Sequence, residues 1–336
     1  MSLAVPNHTI NEMIKQTCKL QLLFEKAKAK PPSQQWLVIG LPMVCVVVTL
    51  STAGAVQPTH QEASAPENAQ ALPAVTVTDV FHPPTTCAEL CALSPGNLAK
   101  CDIALMNLLC AEGLRGSETL NISGCLATLD SWAGHLKNEI ERNLYRYRAD
   151  PGRFHNCEGR YRMGMLVTVL KQDMKVHYDD ERSNAEPAEA FFADAGSVFI
   201  NGMLGPRRAG TCGSIPVLVV ALARRLGYPV KLVIARSHTF ARWDDGKDRF
   251  NIEASNGGGM IEHPDDYYRT WPKPITEEMI AAEGYLKSLS PSEELAVFLQ
   301  TRAVCLFVSG RKDETKRVCR KGLELLPSSK LFKFAY

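Results

Sequence analysis

From Trp36 through Val56 the chain carries no charged side chain, and this run decides how much of the sequence can belong to a water-soluble core. A helix of about 20 apolar residues spans the hydrocarbon core of a bilayer. Residues 1–35 before it are polar with a basic end, where Lys15, Lys19, Lys26, Lys28 and Lys30 stand against Glu12 and Glu25. Lysines on that side predict a cytoplasmic N-terminus and a translocated remainder, so 36–56 is expected to be a single-pass membrane anchor. Ala53-Gly54-Ala55 has the small-x-small form of a cleavage site. The competing expectation is therefore a cleaved signal and a secreted domain; a buried core helix is the third reading. Residues 57–86 hold Pro58, Pro66, Pro73, Pro83 and Pro84 among small and polar residues. This is linker composition, too poor in apolar surface to fold alone.

Folded structure is thus expected after this linker: a helical lead-in with a core over 87–286, then a helical tail over 287–336. Over the whole chain, 45% hydrophobic and 22% charged residues describe a globular protein. Lys+Arg 38 against Asp+Glu 36 argues against a dedicated nucleic-acid binder, which carries a basic excess. Six of the 11 cysteines, Cys87, Cys91, Cys101, Cys110, Cys125 and Cys157, lie in the lead-in. In an exported chain disulfides persist, but the spacing does not choose a pairing. A zinc site is disfavoured, because no C-x-x-C pair or paired histidines accompany these cysteines. No metal and no cofactor are expected.

Apolar spacing predicts helices over 98–112, 124–146 and 158–175. In the second, Trp132 and Leu136 share a face and read as core, and His135 reads as exposed. Arg142, Arg146, Arg148, Arg153, Arg160 and Arg162 form a basic stretch, read as a solvated or salt-bridged face, with a polyanion patch as the alternative.

Chemistry concentrates between Arg208 and Ser255. Gly210 and Gly213 bracket Cys212, Pro216 suits a first helical turn, and Gly227 suits a helix stop. Cys212 is therefore expected at a helix N-terminus, where unpaired N–H groups and the helix dipole favour a thiolate. The same groups can hold an oxyanion. A buried strand from Val230 is expected to lead into an alternating one, with His238, Phe240 and Arg242 on one side. Asp244-Asp-Gly246 predicts a hairpin turn. On the return strand Asn251 and Glu253 share a face that can come beside His238. Cysteine, histidine and then a carboxylate or amide are the parts of a thiol nucleophile, its base and an orienting group.

The Gly-Thr-Cys-Gly-Ser-x-Pro run, the Leu-Gly-Tyr-Pro-Val step, the Ser-His-Thr-Phe strand and the Phe-Asn-Ile-Glu strand resemble the transglutaminase-like superfamily. The nearest likeness is to its bacterial branch, in which tetratricopeptide-like helices follow the core. The resemblance spans roughly 98–330 and is most specific from Gly210 to Ser255. It implies an α+β fold with a papain-like core, Cys212 as nucleophile and His238 as base. The usual third residue is Asp. Here Glu253 takes that position, with Asn251 as the substitute. Residues 257–259 are all glycine and precede Tyr267, Tyr268 and Trp271. This region is read as a loop packed over the core, or alternatively as a groove wall. Asp244, Asp245 and Asp248 lack calcium-loop spacing and read as turn residues.

Ser290-Pro-Ser-Glu293 is a helix-start signal. Ala303, Leu306, Thr315, Cys319, Gly322 and Pro327 match the spacing of one tetratricopeptide repeat. One repeat cannot bury its own face and must cap the core or meet a protein partner. The expected function is thiol-dependent acyl chemistry on a peptide or isopeptide amide, by hydrolysis or amine transfer. The alternative is a noncatalytic scaffold acting through protein contacts.

Overall fold

Residues 81–183, 188–255 and 259–333 are described by a computed structural model. Residues 1–35, the apolar run 36–56, all but the end of the 57–86 linker, and Gly257 and Gly258 lie outside the described residues. No helix among the described residues is long and apolar enough to cross a membrane.

Local capping chemistry cuts the lead-in into helices. Thr86 caps α1 (Cys87–Ala92) by accepting from the Glu89 N–H at 3.1 Å. The helix expected over 98–112 is two pieces. A single turn, Pro95–Leu98, ends there, and the Asp102 carboxylate starts α2 (Ile103–Ala111) by accepting from the Ala104 N–H at 2.6 Å. A capping aspartate directly ahead of an apolar run restarts the helix there. Every residue of α2 except Leu105 is buried, as a run apolar all round requires.

Asn121 caps α3 (Ile122–Arg142) through an acceptor bond from Gly124 N–H at 3.0 Å. The helix ends at Asn143, short of the expected 146, and a separate turn follows over Tyr145–Ala149. Leu129, Trp132, Ala133, Leu136 and Ile140 form its buried stripe. His135 is half exposed and meets Asp173 at 2.7 Å. Three of the six arginines of the basic stretch are paired with carboxylates: Arg142 with Glu139, Arg160 with Glu262, and Arg162 with Glu141 and Glu158.

The fold is mixed α and β, with helix predominating. After α4 (Glu158–Gln172), a short parallel pair joins β1 (His177–Tyr178) to β2 (Ala209–Gly210). Then α5 (Ile215–Arg225) runs buried from Ile215 through Ala223. Gly227, at φ +76°, closes it in a left-handed conformation. An antiparallel sheet follows in the order β3 (Val230–Ala235), β4 (His238–Asp244), β5 (Arg249–Ile252).

The chain between Val230 and Trp243 is a hairpin, folded back at Arg236-Ser237 so that Ala235 pairs with His238. Ser237 adopts φ +68° there. The second turn follows the sequence reading: the Asp245 carboxylate accepts from the N–H groups of Lys247 and Asp248 at 2.8 and 2.7 Å. It sets Arg242 opposite Asn251 and Ala241 opposite Ile252.

Helix α6 (Asp265–Thr270) leads toward a terminal helical hairpin, α7 (Pro291–Val308) and α8 (Lys312–Leu325). Ser290 and Glu293 form a reciprocal capping box at the start of α7. The hairpin joins the same hydrophobic core as the lead-in and the sheet. Arg302 of α7 donates to the carbonyls of Cys110 and Glu112 at 2.8 and 2.7 Å, and Arg224 of α5 pairs with buried Glu294. On α8, a methyl group at Gly322 would overlap the Phe332 ring, so the small residue permits this close approach.

Candidate active site

Cys212 lies in the turn between β2 and α5, three residues before the first helical residue. Gly210 lets the chain enter this turn tightly, since a Cβ there would overlap Met203. Gly213 has no such crowding. Two hydroxyls hold the turn. Thr211 Oγ1 donates to the Ser197 carbonyl at 2.9 Å and accepts from the Gly213 N–H at 3.3 Å. Ser214 Oγ donates to the same carbonyl at 3.3 Å and accepts from the Thr211 N–H at 3.0 Å.

The Ser214 and Ile215 N–H groups both return to the Thr211 carbonyl. Internal bonds thus consume most of the N–H groups that the sequence reading assigned to an oxyanion. The Cys212 N–H is the one between Thr211 and Ile215 that makes no hydrogen bond among the described residues.

His238, the first residue of β4, is buried. Its Nε2 lies 2.5 Å from Glu253 Oε2, and the Cys212 side chain lies near enough to favour the charged ring. Glu253 follows β5 and is fixed on both sides. Its backbone exchanges hydrogen bonds with Ile261 at 2.8 and 3.0 Å, and its Oε1 accepts from the Ser255 N–H at 2.9 Å. Continuing the register by one residue puts Glu253 opposite Phe240, diagonal to His238 on the same face.

Burial alone would drive the imidazole toward its neutral form. The Glu253 carboxylate and the Cys212 sulfur outweigh burial and raise His238 to about 10. Burial likewise opposes the charge on Glu253, but His238 and the Ser255 N–H hold its carboxyl below the usual range. The two side chains form a buried ion pair with a proton on the ring.

Aromatic rings close the other sides of the imidazole. Trp271 meets it edge-on with centroids 4.9 Å apart, and Tyr268 lies parallel at 6.0 Å. Tyr268 in turn stacks on Phe240 at 4.0 Å. The segment after the glycine run therefore packs on the core and forms a wall of the His238 site.

Asn251 lies apart from His238. Its Oδ1 accepts from Arg242 Nε at 2.7 Å, and its Nδ2 donates to the His263 carbonyl and to Asp265 Oδ1, both at 2.8 Å. The structure therefore brings Cys212, His238 and Glu253 together and leaves Asn251 in a neighbouring network centred on Arg242. Sequence reasoning missed this role of Arg242, and it missed the hydroxyl scaffold of Thr211, Ser214 and Ser197. A Thr and a Ser three residues apart ahead of a helix are a readable sign of such a turn. Arg242 gave a weaker sign, a charged residue alternating with His238 and Phe240 on the inward face.

No group of three or more potential metal ligands occurs among the described residues. No family model, no curated protein and no solved structure gives a significant match to this chain.

Proposed function

We propose that the protein performs thiol-dependent acyl chemistry on a peptide or isopeptide amide, on a papain-like core anchored or exported through residues 36–56. The observation that carries this reading is that one buried imidazole is hydrogen-bonded to Glu253 and feels the Cys212 sulfur as a neighbour that favours its charged form. A histidine shared between a thiol and a fixed carboxylate has a mobile proton and a fixed orientation.

In this reading Cys212 Sγ attacks the amide carbonyl, and the oxyanion forms beside the Cys212 N–H. The thiol proton already rests on His238, which gives it to the leaving amine nitrogen, and a thioester remains. Water or a second amine then attacks the thioester and restores the thiol. Glu253 keeps the ring aimed at sulfur throughout and balances its positive charge.

The test is iodoacetamide labelling of the full chain at low dose and pH 6.5, mapped by mass spectrometry. An ordinary thiol titrating near 8.5 is about 1% ionised at that pH, so a thiolate paired with His238 should react up to about 100-fold faster. Cys212 is expected to label ahead of the other cysteines and to lose that advantage in His238→Ala. Labelling of Cys212 at the rate of an ordinary thiol, or at an equal rate in His238→Ala, would overturn the proposal.

A further inference from the structure

The turn that carries Cys212 is held from behind by an arginine outside the mechanism. Asp179 follows β1, and its N–H donates to the Gly210 carbonyl, at the end of β2, at 2.8 Å. Asp194 accepts from the Gly196 N–H at 2.9 Å and so caps the short turn Ala195–Val198. Ser197 in that turn is fully buried, and its carbonyl receives both the Thr211 and the Ser214 hydroxyls. The Arg207 guanidinium joins these three residues. Its Nη1 donates to Asp194 Oδ2 at 2.9 Å, and its Nη2 donates to Ser197 Oγ at 3.0 Å and to Asp179 Oδ2. Both carboxylates are more buried than the cation between them.

The geometry points to Arg207 as a positioning residue for Cys212, one that fixes where the sulfur stands relative to the His238 ring. The role presupposes the thiol chemistry proposed for Cys212. Arg207 reaches the turn by two routes. Through Asp179 it holds Gly210, from which the chain enters the turn. Through Ser197 it holds the carbonyl on which Thr211 and Ser214 hang. Cys212 lies between these anchors, and its own N–H makes no hydrogen bond among the described residues, so the anchors set its place.

A reacting group misplaced by about 1 Å can lose about 100-fold in rate. Removing the guanidinium also leaves Asp179 and Asp194 without their shared cation, and like charges push apart. Arg182 remains 3.7 Å from Asp194, but among the described residues only Arg207 pairs with both carboxylates. Lysine is a poor substitute here, because a point charge does not reproduce the planar fork that engages several acceptors at once.

The experiment follows iodoacetamide labelling of Cys212 in the folded full chain from roughly pH 5.5 to 9.5, beside the urea midpoint of each variant. The labelling midpoint is expected well below 8.5 in the unaltered chain, near 8.5 in Arg207→Ala and between the two in Arg207→Lys. Each unit of rise slows labelling at pH 6.5 about tenfold. Combined with His238→Ala, Arg207→Ala should add no further rise, because the ring that the sulfur is aimed at is gone. Asp179→Asn keeps the backbone bond to Gly210 and weakens only the hold on the guanidinium; it should raise the midpoint as well, and it serves if Arg207→Ala does not fold. An unchanged labelling midpoint with a lower urea midpoint would make Arg207 purely structural and overturn the inference. The same rise in the His238→Ala background would mean that the arginine charge acts on sulfur directly, and would overturn it too. A midpoint near 8.5 in the unaltered chain would overturn the thiol chemistry itself, and this role with it.

Discussion

Two polar clusters share one face of the β4–β5 hairpin, and they use their hydrogen-bonding capacity differently. In one, Arg242 is fully buried and each nitrogen is spent: Nε on Asn251, Nη1 on the Leu286 carbonyl and Nη2 on Asp265, at 2.7, 3.0 and 2.6 Å. A guanidinium does not release its proton in a protein. In the other, His238 has Nε2 on Glu253 and the Cys212 side chain as a neighbour that favours its charged form, and its proton can move. Both clusters are built on buried polar side chains, Arg242 with Asn251 and His238 with Glu253. Only the second has an atom left over for a reacting group. The first holds the segment carrying Tyr268 and Trp271 against the second, since Asp265 opens the helix that leads to both rings.

The largest expected effect is structural. Arg242→Ala leaves Asp265, Asn251 and the Leu286 carbonyl without their shared donor. Breaking a buried pair from one side costs about 3–5 kcal/mol, measured as a lower urea midpoint. His238→Ala should cost less, about 1–3 kcal/mol, because Glu253 keeps its Ser255 bond and can take up a proton. Equal losses from the two variants would break the distinction between scaffold and site.

Next in size is the pH dependence of the second cluster. His238 is raised in the folded chain to about 10 from 6.5, so its stabilisation is full below 6.5 and is lost as pH rises toward 10. Glu253 is lowered from 4.5, so its contribution is present above 4.5 and is lost as pH falls through the folded value. Stability should peak between these limits and decline on the alkaline side. Glu253→Gln should flatten that alkaline decline in urea titrations and bring the His238 proton resonances to titrate near or below 6.5.

Much of this comparison can be traced to particular residues in the sequence. Cys212, His238 and Glu253 stand out because thiol, imidazole and carboxylate fall on a helix approach and two alternating strands. Strand alternation alone does not separate Asn251 from Glu253, because both point to one face; only the resemblance favours Glu253. What separates them is register, which the Asp245 carboxylate fixes by bonding Lys247 and Asp248. The Arg236-Ser237 turn is not legible because it has no Gly, Asn or Pro; strand pairing holds Ser237 at positive φ. The break before α2 hides behind continuous apolar spacing that only the Asp102 cap interrupts.

Asn251→Asp sharpens the comparison more gently. It replaces the donor facing the His263 carbonyl and Asp265 with an acceptor, so two acceptor pairs are left facing each other. Unmade buried bonds of this kind cost about 1–3 kcal/mol. Urea unfolding should register that loss, while the His238 titration and the Cys212 labelling rate stay as in the parent chain. Movement of either would mean that Asn251 belongs to the reacting cluster after all.

The smallest effect comes from a second arginine on the same carboxylate. Arg249 Nη2 stands 3.4 Å from Asp265 Oδ2, with its side chain 54% exposed, where that of Arg242 is 0% exposed. Water and salt screen the outer bridge, and its side chain loses entropy in making it. Arg249→Ala should therefore cost at most about 1 kcal/mol, and the cost should shrink further as ionic strength rises. The Arg242→Ala loss should persist in the same salt, because no water reaches that guanidinium. The two variants share one carboxylate, so their ratio isolates burial from charge. A large, salt-resistant loss from Arg249→Ala would place the scaffold's anchor at Asp265 itself rather than at the buried arginine.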